Sequence, residues 1–579
     1  MSPSPRLLLG LAAVAVAFAA ADTYVVVLAL PDMMASVGVS IDELQRGAPI
    51  VSGFLLGYVA MLPLIGRIAD LRGRLPVLVG SLVVFSLGCL VTAAAYDLPS
   101  MVVGRFLQGV GGGGLVPATL ALVADMYPPE RRGVPLGVVG AVQELGSVVG
   151  PLYGALVLAF AGWEEIFWIN LAVGLVLAAA LRASATTEPR TSTRPRDLPG
   201  LVLVGLCLVC LLLVMLAPAT LTRGVTTGLA FLPIVGDSRW LSPIALVLLV
   251  LVAALIARSW LASRPLLDLR QWGRTAARAD LVGAGILAVA LGGIILAFAT
   301  ADPEVAVFSP AGPWLLAVSA IATVAFWWHQ RRTPHPLVPG DAFRQPPAWG
   351  ALLVSFFVGA ALIAALVDIP IFARITVYPE SQLMAALVLL RLLVAIPVGA
   401  LAGGYLTRHA PVGAITAGGM ALAAAGFVVM AQWDRLSLEQ AVATIPLVMA
   451  GLGFGLALAP VNAALLAATR DAVHGVASAL LVVARMVGML VGISALTTIG
   501  LRRYYAVQVG LPPPDEVCDT GTQCVEYTNL LKDAGLAQLQ TVFVGAAVCS
   551  AIAAVLALVL FRTAQTRDVS TAEALRQAG

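Results

Sequence analysis

Apolar stretches of about twenty residues recur along the whole of this 579-residue chain, and that repetition decides what it can fold into. Roughly twenty residues at ~1.5 Å each cross the ~30 Å hydrocarbon core of a bilayer. No water is available there, so backbone N–H and C=O groups must pair within the segment, which selects helices. The runs lie near 7–30, 47–66, 76–95, 100–124, 134–160, 163–181, 198–218, 241–261, 281–301, 313–330, 348–372, 383–406, 412–432, 442–468, 475–500 and 536–561. Sixteen spans are expected, with fourteen as the alternative. With 60% hydrophobic and 11% charged residues, no soluble domain could hide so much apolar surface. The first run follows Arg6 as a secretion signal would. It continues to Pro31, holds Asp22 and is followed by fifteen more, so it reads as a span.

Arginine placement gives the expected orientation. With the N-terminus in the cytoplasm, the inner loops hold Arg67, Arg72, Arg74, Arg131, Arg132, Arg190, Arg194, Arg196, Arg264, Arg270, Arg274, Arg278, Arg331, Arg332, Arg344 and Arg408, among others. An even number of spans returns the tail, with Arg562, Arg567 and Arg576, to the same side. The expected domains are a six-helix half over 1–182, a linker with four spans over 183–347, a second six-helix half over 348–562, and a cytoplasmic tail over 563–579. "RPLLDLRQWGR" (264–274) and "HPLVPGDAFRQ" (335–345) read either as two copies of one element or as chance likeness between amphipathic loops. A net charge of +3 leaves no nucleic-acid footprint.

Three motifs occupy definite places. "GRIADLRGRLP" (66–76) joins spans 2 and 3 on the inner side; Gly66 and Gly73 permit a tight backbone, Arg67 follows the first of them, and Asp70 and Arg74 can pair across the loop. "GRFLQGVGGGG" (104–114) puts Arg105 near the outer end of span 4. "GSVVGPLYGA" (146–155) gives span 5 a small-residue face, Gly146, Gly150 and Gly154, with a kink at Pro151. Together with "ADTYVVVLALP" (21–31), in this order, they resemble the major facilitator superfamily, in its drug:proton antiporter branch with extra central helices. The resemblance covers nearly the whole chain. It implies an all-α polytopic membrane protein of two six-helix halves plus linker helices.

A narrower likeness lies in "ADTYVVV", "QELGSVVGPLYG" and "GVASALLVVARMVGMLVG" (475–492), which are similar to the mycobacterial triacylglyceride exporters. That likeness implies a lipid substrate, a periplasmic lipid-carrying lipoprotein as partner, and a place in the bacterial cytoplasmic membrane. Two features depart from it. Those exporters have two linker helices where four are expected here. "GGYLTRHAPVG" (403–413) has Thr407 where the family pattern has Asp, so the inner closing contacts are expected to be unequal in the two halves.

Charged residues inside the spans carry the mechanistic expectation. Glu144 lies about ten residues, or ~15 Å, into span 5, near the midplane, where an ionised carboxylate needs a cavity or a partner. A carboxylate whose solvation and neighbours change as a cavity opens to each side in turn can take up and release a proton. Arg485 lies at similar depth in the other half, and Asp22 nearer the outer side of span 1. The resemblance implies that transport depends on Asp22, Glu144 and Arg485; the alternative is that they only clamp helices. Glu144→Gln and Asp22→Asn are expected to stop transport and leave folding intact. Arg105, Asp368 and Arg391 are further candidate cavity charges, although for Asp368 and Arg391 a pair with each other is the plainer and preferred reading.

Other signals read as packing. Gly109, Gly111 and Gly114 match a dinucleotide fingerprint, but no strand precedes them. Cys207 and Cys210 have no second ligand pair, so no metal is expected. His329, His335, His409 and His474 stand at span ends or in loops, which leaves proton work to carboxylates. No phosphate loop or nucleophile constellation appears, and no cofactor is expected. The expected function is proton-coupled lipid export by a monomer. The alternatives are export of lipophilic cations or drugs, and a membrane scaffold or enzyme that transports nothing.

The segment at about 501–535 reads as an extracytoplasmic helical hairpin, broken by "LPPPDE" (511–516). Cys518 and Cys524 either form a disulfide across its tip, as an oxidising compartment allows, or stay unpaired in a loose loop.

Overall fold

The computed structural model describes residues 5–39, 44–184, 197–236, 238–262, 265–266, 268–299, 309–340, 342–379, 381–513, 517–518, 524–564 and 566. Six helices open the chain: α1 (Pro5–Ser36), α2 (Leu44–Arg72), α3 (Arg74–Ala93), α4 (Leu98–Met126), α5 (Gly133–Phe160) and α6 (Trp163–Ser184). The middle holds α7 (Leu198–Leu216), the one-turn α8 (Ala219–Thr222), α9 (Pro243–Leu261), the short α10 (Leu269–Arg278), α11 (Leu281–Ala299) and α12 (Gly312–Arg332). Six more follow: α13 (Pro346–Ile375), α14 (Gln382–Leu406), α15 (Val412–Met430), α16 (Thr444–Ala467), α17 (His474–Gln508) and α18 (Val525–Leu560). Each of the sixteen apolar runs forms one helix of 19 residues or more. Among the described residues, thirteen are long and apolar enough to cross a membrane. Arg190, Arg194, Arg196, Arg264, Arg567 and Arg576 lie outside the described residues.

Local chemistry sets the helix ends. The Asp97 carboxylate accepts the Ser100 N–H at 2.9 Å to start α4, while the Ser100 hydroxyl returns to the Asp97 N–H. Asp197 caps α7 through the Gly200 N–H, and Arg258 at the end of α9 donates to the same carboxylate, which fastens α7 to α9.

Two groups of six helices result. In the first, α4 packs on α2 and α3, α1 on α5, and α3 on α6. In the second, α16 packs on α14 and α15, and α13, α17 and α18 pack on one another. The groups meet through α2–α17, α4–α17, α5–α14 and α5–α16. One glycine row fixes the α1–α5 pair. A Cβ on Gly146 or Gly150 would strike the backbone of Ala17 or Ala21, and one on Gly154 the Val25 side chain. The row lets the two helices touch over two turns, which brings Asp22 of α1 beside the first group's core. The Pro151 side chain lies outside the described set.

The linker sits in two places. The α7–α9 pair leans on the outer side of α3, where Met215 meets Leu90, Val91 and Ala94. Only 17% of either helix's apolar window is buried within the protein, against 83% for α4. The α11–α12 pair instead packs α11 against α2 and α17, one helix from each group. In the second group α17 and α18 are the longest helices, 35 and 36 residues, and a Cys518–Cys524 disulfide lies between them.

Candidate functional site

Four polar residues from three helices of the first group meet in its interior. Asp22 of α1 accepts a hydrogen bond from Arg105 Nη1 at 3.2 Å and from Asn170 Nδ2 of α6 at 2.6 Å, with Gln108 Nε2 at 3.4 Å. Arg105 also donates to Gln108 Oε1 at 2.9 Å and to the Ile50 carbonyl, and its guanidinium lies 4.5 Å from the centre of the Phe54 ring. None of the four is more than 1% exposed. Taking two charges out of water is costly, and a buried pair persists only when further hydrogen bonds complete both partners. Gln108 and Asn170 do that here. Arg105, a candidate cavity charge from sequence, is a core residue paired with Asp22. Arg105 and Gln108 are one turn apart on α4, a spacing that makes them neighbours. Asn170 was detectable as the one amide of an apolar helix.

The second site lies between the groups. Arg485 of α17 places Nη1 3.8 Å from Glu144 Oε1 of α5. Both side chains line two joined lobes of a central cavity. The larger lobe, about 1100 Å³ of empty space, is walled by apolar residues of both groups, including Val16, Phe54, Leu366, Leu393 and Met486. Gln143 lines both lobes, and the smaller, about 580 Å³, adds Ser355 and Asn462 to the polar lining. Among the described residues that line either lobe, Glu144 is the only acid and Arg485 the only base. Gln143 and Asn462 were not anticipated; as neutral amides they carried no charge signal.

The third site is a closure at the end of α2. Gly66 and Gly475 lie backbone to backbone. The Asp70 carboxylate accepts the Gly475 N–H at 2.8 Å and the Val476 N–H at 3.1 Å. These belong to the first turn of α17, whose N–H groups have no partner within the helix and face an anion favourably. Arg74 pairs with Asp70 at 3.1 Å and Asp125 at 3.3 Å and donates to the Asp471 carbonyl at 2.9 Å. Gly73, at φ 92°, makes the turn that lets α3 start directly after α2. Arg67 lies half-buried one residue after Gly66. The corresponding contact of the second group is different. Thr407 sits against Gly133 at the start of α5 and spends its hydroxyl on the Gly404 carbonyl at 2.8 Å. Among the described residues, one side of the closure has a carboxylate on a helix N-terminus and the other has the close packing of Thr407 and Gly404 on Gly133.

Asp368 and Arg391 are not brought together. Arg391 donates to the Thr444 hydroxyl at 3.0 Å, and no ion pair joins the two among the described residues; Asp368 is buried at 4% exposure on α13. Among the described residues no group of three metal-ligating side chains forms.

Residues 12–330 match the family model of the Major Facilitator Superfamily. A triacylglyceride transporter of Mycolicibacterium hassiacum is 34% identical over 514 residues, covering 86% of this chain and 81% of that protein. One of Mycobacteroides abscessus is 33% identical over 507 residues, covering 86% and 82%. One of Mycobacterium tuberculosis is 33% identical over 526 residues, covering 88% and 86%.

Proposed function

This chain belongs to the major facilitator superfamily, and from that premise we propose that it is a proton-coupled exporter of neutral lipid that works by alternating access. The observation that carries the reading is the cavity: apolar walls from both groups, with one acid faced by one base among the described residues that line it. A cavity balanced in charge suits an uncharged, largely hydrocarbon substrate. A site for lipophilic cations would keep its acid unmatched. The relatives described as triacylglyceride transporters support the same substrate class.

Mechanism follows from the three sites. The 66–74 loop faces the cytoplasm, as do both termini, in the membrane orientation that the arginine-rich loops favour. The Asp70 contact and the α5–α14 packing close the cavity on that side, and the cavity empties toward the other. Protonation of Glu144 removes its attraction for Arg485 and loosens the contact between α5 and α17. Asp22 provides a second proton site, coupled through Arg105 to the packing of α1 against α4. The two groups then rock around the cavity. The hairpin of α17 and α18 stands in the periplasm, where it guides the departing lipid or docks a lipid-carrying lipoprotein. The working unit is a monomer in the bacterial cytoplasmic membrane.

The test is reconstitution in liposomes with an imposed pH gradient, following a fluorescent triacylglyceride and, separately, tetraphenylphosphonium. Gradient-dependent movement of the lipid without the cation is expected. Movement of the cation without the lipid would show an exporter of lipophilic cations instead.

A further inference from the structure

The linker touches the closure of the cavity at several points, and each contact is specific. Arg72, the last residue of α2, lies between Asp70 and Arg74 where α2 gives way to α3. Its guanidinium covers the Trp272 ring of α10 at 4.2 Å, and its Nε donates to the Thr275 hydroxyl at 3.1 Å. Beyond α10, Leu337 joins Ala279 and Ala284 around Leu64 of α2. A few residues later in the same segment, Ala342 packs with Val473 and Val476 at the start of α17. That is the turn whose N–H groups hold Asp70. One strip of linker therefore grips α2 and α17 on the face where those helices meet.

Asp280 holds the strip together. It stands between α10 and α11 at φ 54°, a conformation that an L-residue other than glycine rarely adopts. Its carboxylate accepts the Gly283 N–H at 2.9 Å, the Leu337 N–H at 3.1 Å and Gln330 Nε2 at 2.7 Å, with His329 Nε2 at 2.7 Å. One side chain thus ties the start of α11, the end of α12 and the segment that reaches α17. Its four contacts are all within the linker, so it acts on the closure only through what it positions.

We propose that the linker segment from α10 to the loop after α12 is a second latch on the inner gate, and that Asp280 is the positioning residue that keeps it assembled. The inference rests on the rocking movement proposed above. Rocking must part Gly66 from Gly475, and a strip attached to both helices opposes that. The latch adds to the Asp70 contact on one side only, so the side held by Thr407 and Gly133 is the weaker. Opening to the cytoplasm is favoured when the latch is undone.

Spin labels at Arg131→Cys and Arg408→Cys, exposed positions on the two groups, report the inner separation. Cys89, Cys207, Cys210 and Cys549 are replaced first, so that only the two sites are labelled. Pulsed electron resonance in liposomes, with and without a pH gradient, gives the ratio of long to short separations. Asp280→Ala and, separately, Trp272→Ala are each expected to raise that ratio about tenfold, an ordinary size for coupling between distant sites. Trp272→Ala leaves the Asp280 contacts in place, so it tests the latch even where Asp280→Ala folds poorly. Two separations in the unchanged ratio for both variants overturn the latch and leave rocking standing. A wild-type protein fixed at one separation in every condition overturns rocking and the latch with it.

Discussion

Glu144 and Arg485 approach from opposite groups of helices and stop 3.8 Å apart, each side chain 13% exposed. Asp22 and Arg105 are also an ion pair, at 3.2 Å, but both lie in one group and neither side chain is more than 1% exposed. The two pairs should therefore respond differently to loss of the acid.

Glu144→Gln keeps the side chain's volume and leaves Arg485 beside a cavity that water can enter. Transport should fall at least tenfold with abundance unchanged. Asp22→Asn leaves Arg105 charged and enclosed, and removing one partner of a buried pair costs roughly 3–5 kcal/mol. Transport and abundance should both fall, which revises the expectation from sequence that folding stays intact. Adding Arg105→Gln to Asp22→Asn should recover abundance without transport. Immunoblot and lipid efflux measured on the same cells check all three variants. Normal abundance of Asp22→Asn alone would contradict the argument.

The number and direction of spans can be read from labelling. Single cysteines in the 219–236 and 309–312 segments should react with an impermeant thiol reagent added to intact spheroplasts. Single cysteines in 268–278 should react only after the membrane is opened. Reaction of 268–278 from outside would favour fourteen spans over sixteen.

Asp280, ahead of α11, gives a pH prediction with a definite sign. Burial works against its charged form, but hydrogen bonds from His329, the Gly283 and Leu337 N–H groups and Gln330 outweigh it and hold its carboxyl below the usual value. A carboxyl lowered on folding contributes stability above its unfolded pKa of ~3.9 and loses it as pH falls through the folded value. The gap in melting temperature between wild type and Asp280→Asn should not shrink from pH 8 to 5 and should shrink below about pH 4. A gap that closes already between pH 8 and 6 would assign the stabilisation to another group.

The disulfide at the tip of the hairpin closes a loop with a sequence separation of 6. A loop that short contributes about 2 kcal/mol or less. Cys518→Ser with Cys524→Ser should leave the melting temperature of the helical core within a few degrees of wild type. Deleting 506–530 should lower lipid export while the core still folds, as circular dichroism and efflux together would show. Unchanged export would remove the hairpin from the mechanism.

Much of this architecture was legible in the sequence because a membrane span is a local property: about twenty apolar residues suffice, whatever they touch. The 66–74 motif was legible for a similar reason, since Asp70 and Arg74 are one helical turn apart. Partners across helices were not. Depth along a span can be counted, but rotation about the axis decides which neighbour a side chain meets, and that depends on packing. Hence Arg105 read as a cavity charge and lies in the core with Asp22. Arg391 lies near Thr444 and not Asp368. The linker contacts were further out of reach. Arg72 and Thr275 are 203 residues apart, and nothing in either stretch names the other.

The lipid-facing linker helices α7 and α9 are 19 residues each, and α17 and α18 are 35 and 36. At ~1.5 Å per residue the first pair measures about 28 Å and the second about 53 Å. Helices surrounded mostly by lipid favour a bilayer of matching hydrocarbon thickness, at a cost of a fraction of a kcal/mol for each ~1 Å of mismatch. The short pair thus acts as a depth gauge that settles the protein in the bilayer. It leaves the long pair standing roughly 25 Å proud of the hydrocarbon. A thicker membrane would sink the hairpin toward the headgroups, so bilayer thickness itself would tune how far the tip reaches.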